Sequence, residues 1–294
     1  MEKFKGIFPA LLTPFDSNDR VNRAQLEKLV RHDLALGAKG FYVCGSTGEA
    51  LLMSAAERME VMEVVRSAAP DATCIAHIGT VNERDALALA RKARELGYDA
   101  VSSMPPYYYP FGPAEIRDYY FRLADAAGLP MVVYHIPALS GVNLGKGQLA
   151  EMLTDPRVVG LKYTANDLFL LERIRTAFPD KILFNGYDEV LLAGLSMGVD
   201  GGIGSTYNFM ADKFVQIQSL FRENRIPEAQ AVQKEVNRII SVLCGVGVMQ
   251  AEKELLNQLG FDYGCCRRPF RPLEDEAKEL LRREVLPYIA EVTV

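Results

Sequence analysis

Short apolar runs alternate with longer amphipathic stretches along most of this chain, and that rhythm restricts the fold more than any single residue does. The runs Gly6–Thr13, Gly40–Cys44, Thr73–Ile78, Ala100–Ser103, Met131–His135, Val158–Tyr163, Ile182–Asn185 and Gly201–Ile203 read as buried strands. Between them, Arg23–Leu36, Ala55–Ala68, Glu83–Leu96, Ala114–Ala126, Leu168–Phe178 and Val190–Met197 carry helical spacing. Gly37, Gly97, Gly128 and Gly198 stand where those helices should stop, Pro113 at a first helical position and Asp188 at a cap. Eight strands alternating with helices argue for an α/β fold, a closed (β/α)8 TIM barrel, over residues 1–225. An open doubly wound sheet is the alternative. It would need a phosphate loop after an early strand, and Gly45-Ser-Thr-Gly48 does not follow the Gly-x-Gly-x-x-Gly pattern. From residue 226 the pattern is helical only, at Glu228–Leu243, Val248–Leu259 and Pro272–Ile289. No Gly/Ser- or Pro-rich linker precedes it, so residues 226–294 are expected as a C-terminal helical extension packed on the barrel.

The 294 residues are 49% hydrophobic, enough for the core of one large domain, and their net charge of −5 is spread along the chain. No basic block or basic-aromatic stripe points to nucleic acid. No apolar run approaches the roughly 20 residues that span a bilayer, and no signal peptide precedes the first strand, so a cytoplasmic protein is expected. The five cysteines, Cys44, Cys74, Cys244, Cys265 and Cys266, form no framework and read as reduced thiols. His32, His77 and His135 are scattered and show no metal-ligand spacing, so no metal site is expected.

Within this frame Lys162 is the anomaly. It lies in the apolar segment Val158-Val-Gly-Leu-Lys-Tyr-Thr164, where a cation is costly unless it is paired, solvated or used. An edge position or half of an ion pair would explain it. So would chemistry, because burial favours the neutral amine and a neutral amine attacks carbonyls. Parity places Gly160, Lys162 and Thr164 on one face of the strand and Leu161 and Tyr163 on the other; the apolar face should meet the helices, which aims Lys162 into the barrel mouth. On the preceding strand the same rule turns Tyr134 inward and His135 outward. Strands lie roughly 4.8 Å apart, so the phenol and the amine can meet as a proton-transfer pair, although Tyr134 could also simply fill the mouth.

Other strand exits add polar groups to the same end of the barrel. Gly45-Ser46-Thr47-Gly48-Glu49 offers two hydroxyls and backbone N–H groups, suited to a carboxylate or to an ordinary glycine-rich turn. Asn185-Gly186-Tyr187-Asp188-Glu189 and Gly204-Ser205-Thr206 could grip a polyol; equally, Asp188 caps a helix and Glu189 complements its dipole. Tyr107-Tyr108-Tyr109, flanked by Pro106 and Pro110, could line a site, a subunit contact or plain surface.

Five segments together resemble one family: Gly45-Ser-Thr-Gly-Glu49, Tyr134-His-Ile-Pro-Ala-Leu-Ser-Gly141, Leu161-Lys-Tyr-Thr-Ala-Asn-Asp167, Asn185-Gly-Tyr-Asp-Glu189 and Gly201-Gly-Ile-Gly-Ser-Thr-Tyr-Asn208. The chain is similar, over nearly its whole length, to the pyruvate aldolases of the N-acetylneuraminate lyase and dihydrodipicolinate synthase family. The resemblance implies a Schiff-base lysine at Lys162, a proton-relay tyrosine at Tyr134, and a pyruvoyl carboxylate held by Ser46 and Thr47. It implies sugar-chain contacts from Thr164, Gly186, Asp188, Glu189 and Ser205, with Tyr108 offered toward a neighbouring subunit of a homotetramer. The implied substrates are a small sugar acid and pyruvate, with no cofactor, because the lysine itself supplies the electron sink. In the synthase branch an arginine after the tyrosine takes a second substrate carboxylate; here that place holds Leu139, which favours the lyase branch. Aldolases or dehydratases of other 2-keto sugar acids, and dihydrodipicolinate synthase itself, stand as alternatives.

Overall fold

A computed structural model describes residues 1–290; residues 291–294 of the expected extension lie outside the described residues. Eight parallel strands form a single sheet, β1 (Gly6–Pro9), β2 (Gly40–Val43), β3 (Thr73–His77), β4 (Ala100–Ser103), β5 (Met131–His135), β6 (Val158–Tyr163), β7 (Ile182–Asn185) and β8 (Gly201–Gly204). Their order is β1-β8-β7-β6-β5-β4-β3-β2. The two ends of that order meet. The Lys39 N–H donates to the Ile7 carbonyl at 2.8 Å and the Leu11 N–H to the Tyr42 carbonyl at 3.0 Å, with Ala10 bridged to Tyr42, so the sheet closes into a barrel.

Helices α1 (Arg23–Ala35), α2 (Ala55–Ala68), α3 (Glu83–Glu95) and α4 (Pro113–Ala127) follow the first four strands. After β5 come a single turn, α5 (Pro137–Ser140), and α6 (Lys146–Thr154). The circuit ends with α7 (Leu168–Ala177), α8 (Leu191–Ser196) and α9 (Tyr207–Arg222). Local chemistry sets the starts: Asn22 and Asp167 accept from N–H groups of the first turn, and Ser54 with Glu57 forms a reciprocal capping box. Gly37, Gly97, Gly128 and Gly198 all have positive φ where their helices stop. Three more helices complete the described chain, α10 (Ile226–Val246), α11 (Val248–Gln258) and α12 (Asp275–Glu284).

Side-chain alternation divides the core into two layers. Phe8, Tyr42, Ile75, Val132, Tyr134, Phe184 and Ile203 fill the barrel interior, while Ile7, Phe41, Val133, Leu161 and Leu183 join the larger core between sheet and helices. Strand one is shorter than the expected Gly6–Thr13, because the apolar run continues past the sheet. Leu12 is buried by other partners: its N–H donates to Asn208 Oδ1 and its carbonyl accepts from the Tyr263 hydroxyl. Sequence spacing does not delimit helices α6 and α9. The first is short and opens on Gly145-Lys-Gly147, and the second is buried on so many sides that its apolar stripe is blurred.

The late helices are bound to the barrel by polar contacts as well as packing. Lys253 Nζ on α11 lies 2.5 Å from Glu49 Oε1 at the exit of β2, and neither side chain is more than 1% exposed. The Arg267 N–H donates to the other carboxylate oxygen at 2.7 Å. Replacing Lys253 with Met strands a buried carboxylate, so urea unfolding should show a loss of about 3–5 kcal/mol. A loss below about 1 kcal/mol, the range of an exposed pair, would mean that the pair does not hold α11 in place.

Candidate active site

β5 and β6 pair with Tyr134 directly opposite Lys162. Leu161 and Tyr163 turn to the outer layer, and Lys162 lines a cavity of roughly 430 Å³ at the carboxyl ends of the strands. Its Nζ sits over two ring faces, 4.1 Å from the centroid of Tyr134 and 4.4 Å from that of Tyr42. Lys162 is 4% exposed and forms no ion pair among the described residues. Burial therefore pulls its pKa down from the ordinary lysine range to about 7, with the nearby Asp188 carboxylate pulling the other way. At neutral pH a large share of the amine is uncharged and nucleophilic.

Burial pushes the Tyr134 phenol up to about 12, opposed by the neighbouring hydroxyls of Ser46 and Thr164. The phenol thus keeps its proton and can lend and recover it. Tyr42 is a site neighbour that the sequence reading passes over. Its ring meets Tyr134 edge-on at 5.9 Å and its hydroxyl donates to Ser102 Oγ at 3.0 Å. The parity that turns Tyr134 inward would also find it in Gly40-Phe-Tyr-Val43. His135 points outward as read, stacked on Tyr163 at 5.2 Å.

The turn after β2 brings Ser46 and Thr47 to the cavity wall. It is tightly wound: Cys44 and Glu49, at φ 60° and 57°, flank it in left-handed geometry that non-glycine residues adopt at a cost. The Thr13 hydroxyl donates to the Gly48 carbonyl at 2.9 Å, and Glu49 is anchored by Lys253. With the Gly48–Glu49 end held twice and the Cys44 carbonyl at the other end 3.0 Å from His77 Nδ1, the hydroxyls of Ser46 and Thr47 are presented as a fixed set of donors.

Across the mouth, Thr164, Gly186, Asp188, Glu189 and Ser205 line the same cavity. Two glycines make their close approach possible. A Cβ on Gly186 would fall 1.8 Å from Thr164 Oγ1, and one on Gly204 would fall 1.7 Å from Asp188 Oδ1. Asp188 is not the helix cap that its position suggests. Its Oδ2 accepts from the Thr206 N–H at 2.9 Å and hydroxyl at 2.7 Å, which draws the carboxylate across to the exit of β8. Its Oδ1 has no hydrogen-bond partner among the described residues. Burial raises its pKa to about 6, with the two Thr206 bonds opposing the shift. Glu189 remains exposed at the rim.

The cavity extends beyond the barrel. Ile240 and Cys244 from α10, and Val248, Met249 and Glu252 from α11, form part of its wall. Sequence reasoning confines the site to the strand exits and misses these residues, whose pattern looks like that of any amphipathic helix. α10 also braces the loop after β7: Gln233 Nε2 donates to the Asp188 carbonyl at 3.1 Å and Asn237 Nδ2 to the Glu189 carbonyl at 3.0 Å. Tyr108 is a different case. It is 86% exposed, has φ 76°, and stands outside its own chain's cavity, edge-on to Tyr109.

A closed barrel with a desolvated lysine in a cavity at the strand ends has the layout of a barrel enzyme. The chain belongs to the Dihydrodipicolinate synthetase family, whose model matches residues 3–286. It is 46% identical over 290 residues to an N-acetylneuraminate lyase of Rhizobium meliloti, covering 98% of this chain and 96% of that protein. A Citrobacter koseri protein of the same name is 45% identical over 275 residues, covering 92% and 93%. Among solved structures, N-acetylneuraminate lyase from Fusobacterium nucleatum superposes with a TM-score of 0.91 at 38% identity, covering 96% of this chain and 99% of that one. CdNal from Clostridium difficile in complex with mannosamine gives 0.92 at 37%, with the same coverage.

The depressed lysine has a direct consequence. Acylation of Lys162 by a small amine-directed reagent, followed residue by residue by mass spectrometry, should reach half its plateau near pH 7, with the neutral form gaining as pH rises. Asp188→Asn removes the group that favours the charged amine, so the midpoint should move lower. A midpoint in the ordinary lysine range, roughly 10, would show that the amine is solvated.

Proposed function

We propose that this protein is an N-acetylneuraminate lyase, a class I aldolase-type enzyme that reversibly cleaves N-acetylneuraminate to N-acetylmannosamine and pyruvate. The observation that carries the reading is the buried amine of Lys162, unpaired among the described residues and facing Tyr134 across one strand pair at the mouth of a closed barrel. The relatives named above, alike over nearly their full length, support the substrate.

In the proposed reaction the Lys162 amine adds to the C2 ketone of the open-chain sugar acid, and the carbinolamine loses water to give an iminium. Loss of the C4 hydroxyl proton then breaks the C3–C4 bond, releasing the aldehyde of N-acetylmannosamine and leaving the electron pair in the enamine. Tyr134 relays that proton, its phenol oxygen taking the proton from the C4 hydroxyl as it passes its own to the bound carboxylate. Protonation at C3 and hydrolysis release pyruvate and restore the amine. Ser46 and Thr47 hold the pyruvoyl carboxylate, which sets C2 at a fixed distance from Nζ. Thr164, Gly186, Asp188, Glu189 and Ser205 take the hydroxylated chain.

Leu139 lines the cavity and has nothing with which to pair a second carboxylate, which supports a neutral sugar chain over an acidic aldehyde. The exposed aromatic cluster of Tyr108, Tyr109 and Phe111 supports association of copies of the chain, in our reading a homotetramer in which Tyr108 faces a neighbouring site. All five cysteines are free, which fits a reducing, cytoplasmic setting.

Borohydride added with pyruvate should attach a pyruvate-derived mass to Lys162, and Lys162→Ala should abolish both that mass and pyruvate release from N-acetylneuraminate. Tyr134→Phe should lower kcat by about 10²–10⁴-fold while trapping persists. Folded native protein that fails to trap pyruvate would sink the covalent route, and near-normal turnover in Tyr134→Phe would move the relay elsewhere.

A further inference from the structure

Among the described residues, Glu252 is the one acidic side chain that the late helices place in the cavity wall. Gly247, at φ 104°, separates α10 from α11 and sets the first turn of α11 over the barrel mouth. Val248, Met249 and Glu252 then share a face, three and four residues apart, and all three line the cavity. The neighbouring Lys253 does not neutralise Glu252, because its ammonium is held by Glu49 and the Cys265 carbonyl. Glu252 is wholly buried, and neither of its carboxyl oxygens has a hydrogen-bond partner among the described residues.

A buried carboxyl without a partner is unfavourable, and nothing in the packing of α11 requires one. Two other atoms of the same wall are in the same condition, Asp188 Oδ1 and Thr164 Oγ1. Asp188 lies near enough to influence both Lys162 and Glu252, and Glu252 enters the wall from α11 rather than from a strand end. Unsatisfied polar atoms thus line the cavity both at the strand exits and on the helix that covers them. Burial also lifts the Glu252 carboxyl to about 8, with the nearby Ser205 hydroxyl opposing, so near neutral pH it mostly retains a proton and offers a donor beside an acceptor.

We propose that Glu252 is a specificity-determining residue that hydrogen-bonds O–H or N–H groups of the substrate chain remote from the bond that breaks, and so selects long, uncharged polyol chains over short or acidic ones. This rests on the sugar-acid reading above and extends it to a helix outside the barrel. An apolar side chain at this position would line the wall equally well, but would leave the distal hydroxyls without partners.

The experiment compares wild-type protein with Glu252→Gln and Glu252→Leu on N-acetylneuraminate and on a six-carbon 2-keto-3-deoxy acid, whose carbon chain is shorter. The quantity read is the ratio of kcat/KM for the long substrate to that for the short one. In Glu252→Leu the ratio should fall about tenfold or more, mainly through KM, and Glu252→Gln, which keeps a donor and an acceptor, should recover most of it. Tm should rise in Glu252→Leu, since an unpaired buried carboxyl is removed. A flat ratio across the variants overturns the proposal while leaving the lyase reading intact, as does a lower Tm with parallel losses on both substrates, which marks a structural residue. Wild-type protein that traps pyruvate but cleaves neither acid overturns the proposal together with the reading beneath it.

Discussion

One desolvated amine is the constraint around which the rest of this molecule is arranged. Closing eight strands into a barrel sends alternate side chains into a shared interior, and the strand ends leave that interior one open mouth. Lys162 reaches the mouth with aromatic faces on two sides. The nearest carboxylate, Asp188, is drawn toward Thr206 by two hydrogen bonds, so it tempers the amine without capturing it. A full ion pair would lock the ammonium in its charged state. Complete isolation would lower its basicity further.

The surrounding loops are held from outside the barrel. Lys253 secures the turn that carries Ser46 and Thr47, and Gln233 and Asn237 secure the segment that carries Asp188 and Glu189. Strand exits are short and rich in glycine, which lets side chains from adjacent strands crowd together but supplies little stiffness of its own. Helices packed over the mouth supply that stiffness. They also contribute wall residues, so the late helices act as scaffold and as part of the site.

Much of this is legible in the sequence because strand parity is a strict geometric rule. Lys162, Tyr134 and His135 take the faces that alternation assigns, and Gly45–Glu49 forms the polar turn that its composition suggests. Parity also identifies Tyr42 in principle, but a tyrosine inside Gly40–Cys44 reads as one more apolar residue. Asp188 misleads because a cap is a local explanation, whereas its partner Thr206 is supplied by a different strand exit. Glu252 cannot be found that way at all. Helical periodicity marks it as a residue near the buried face, yet which cavity that face meets depends on Gly247 and the docking of α11, both tertiary matters. Tyr108 shows the remaining boundary, since a single chain leaves it in solvent.

The pairing of Lys253 with Glu49 joins a residue at the exit of the second strand to one made only after the eighth. A chain emerging from the ribosome can assemble all eight strands before α11 exists. During that interval Glu49 lacks its counter-ion, and the turn that presents Ser46 and Thr47 is missing its outer anchor. The polar turn at the mouth therefore gains its outer support only once α11 has docked.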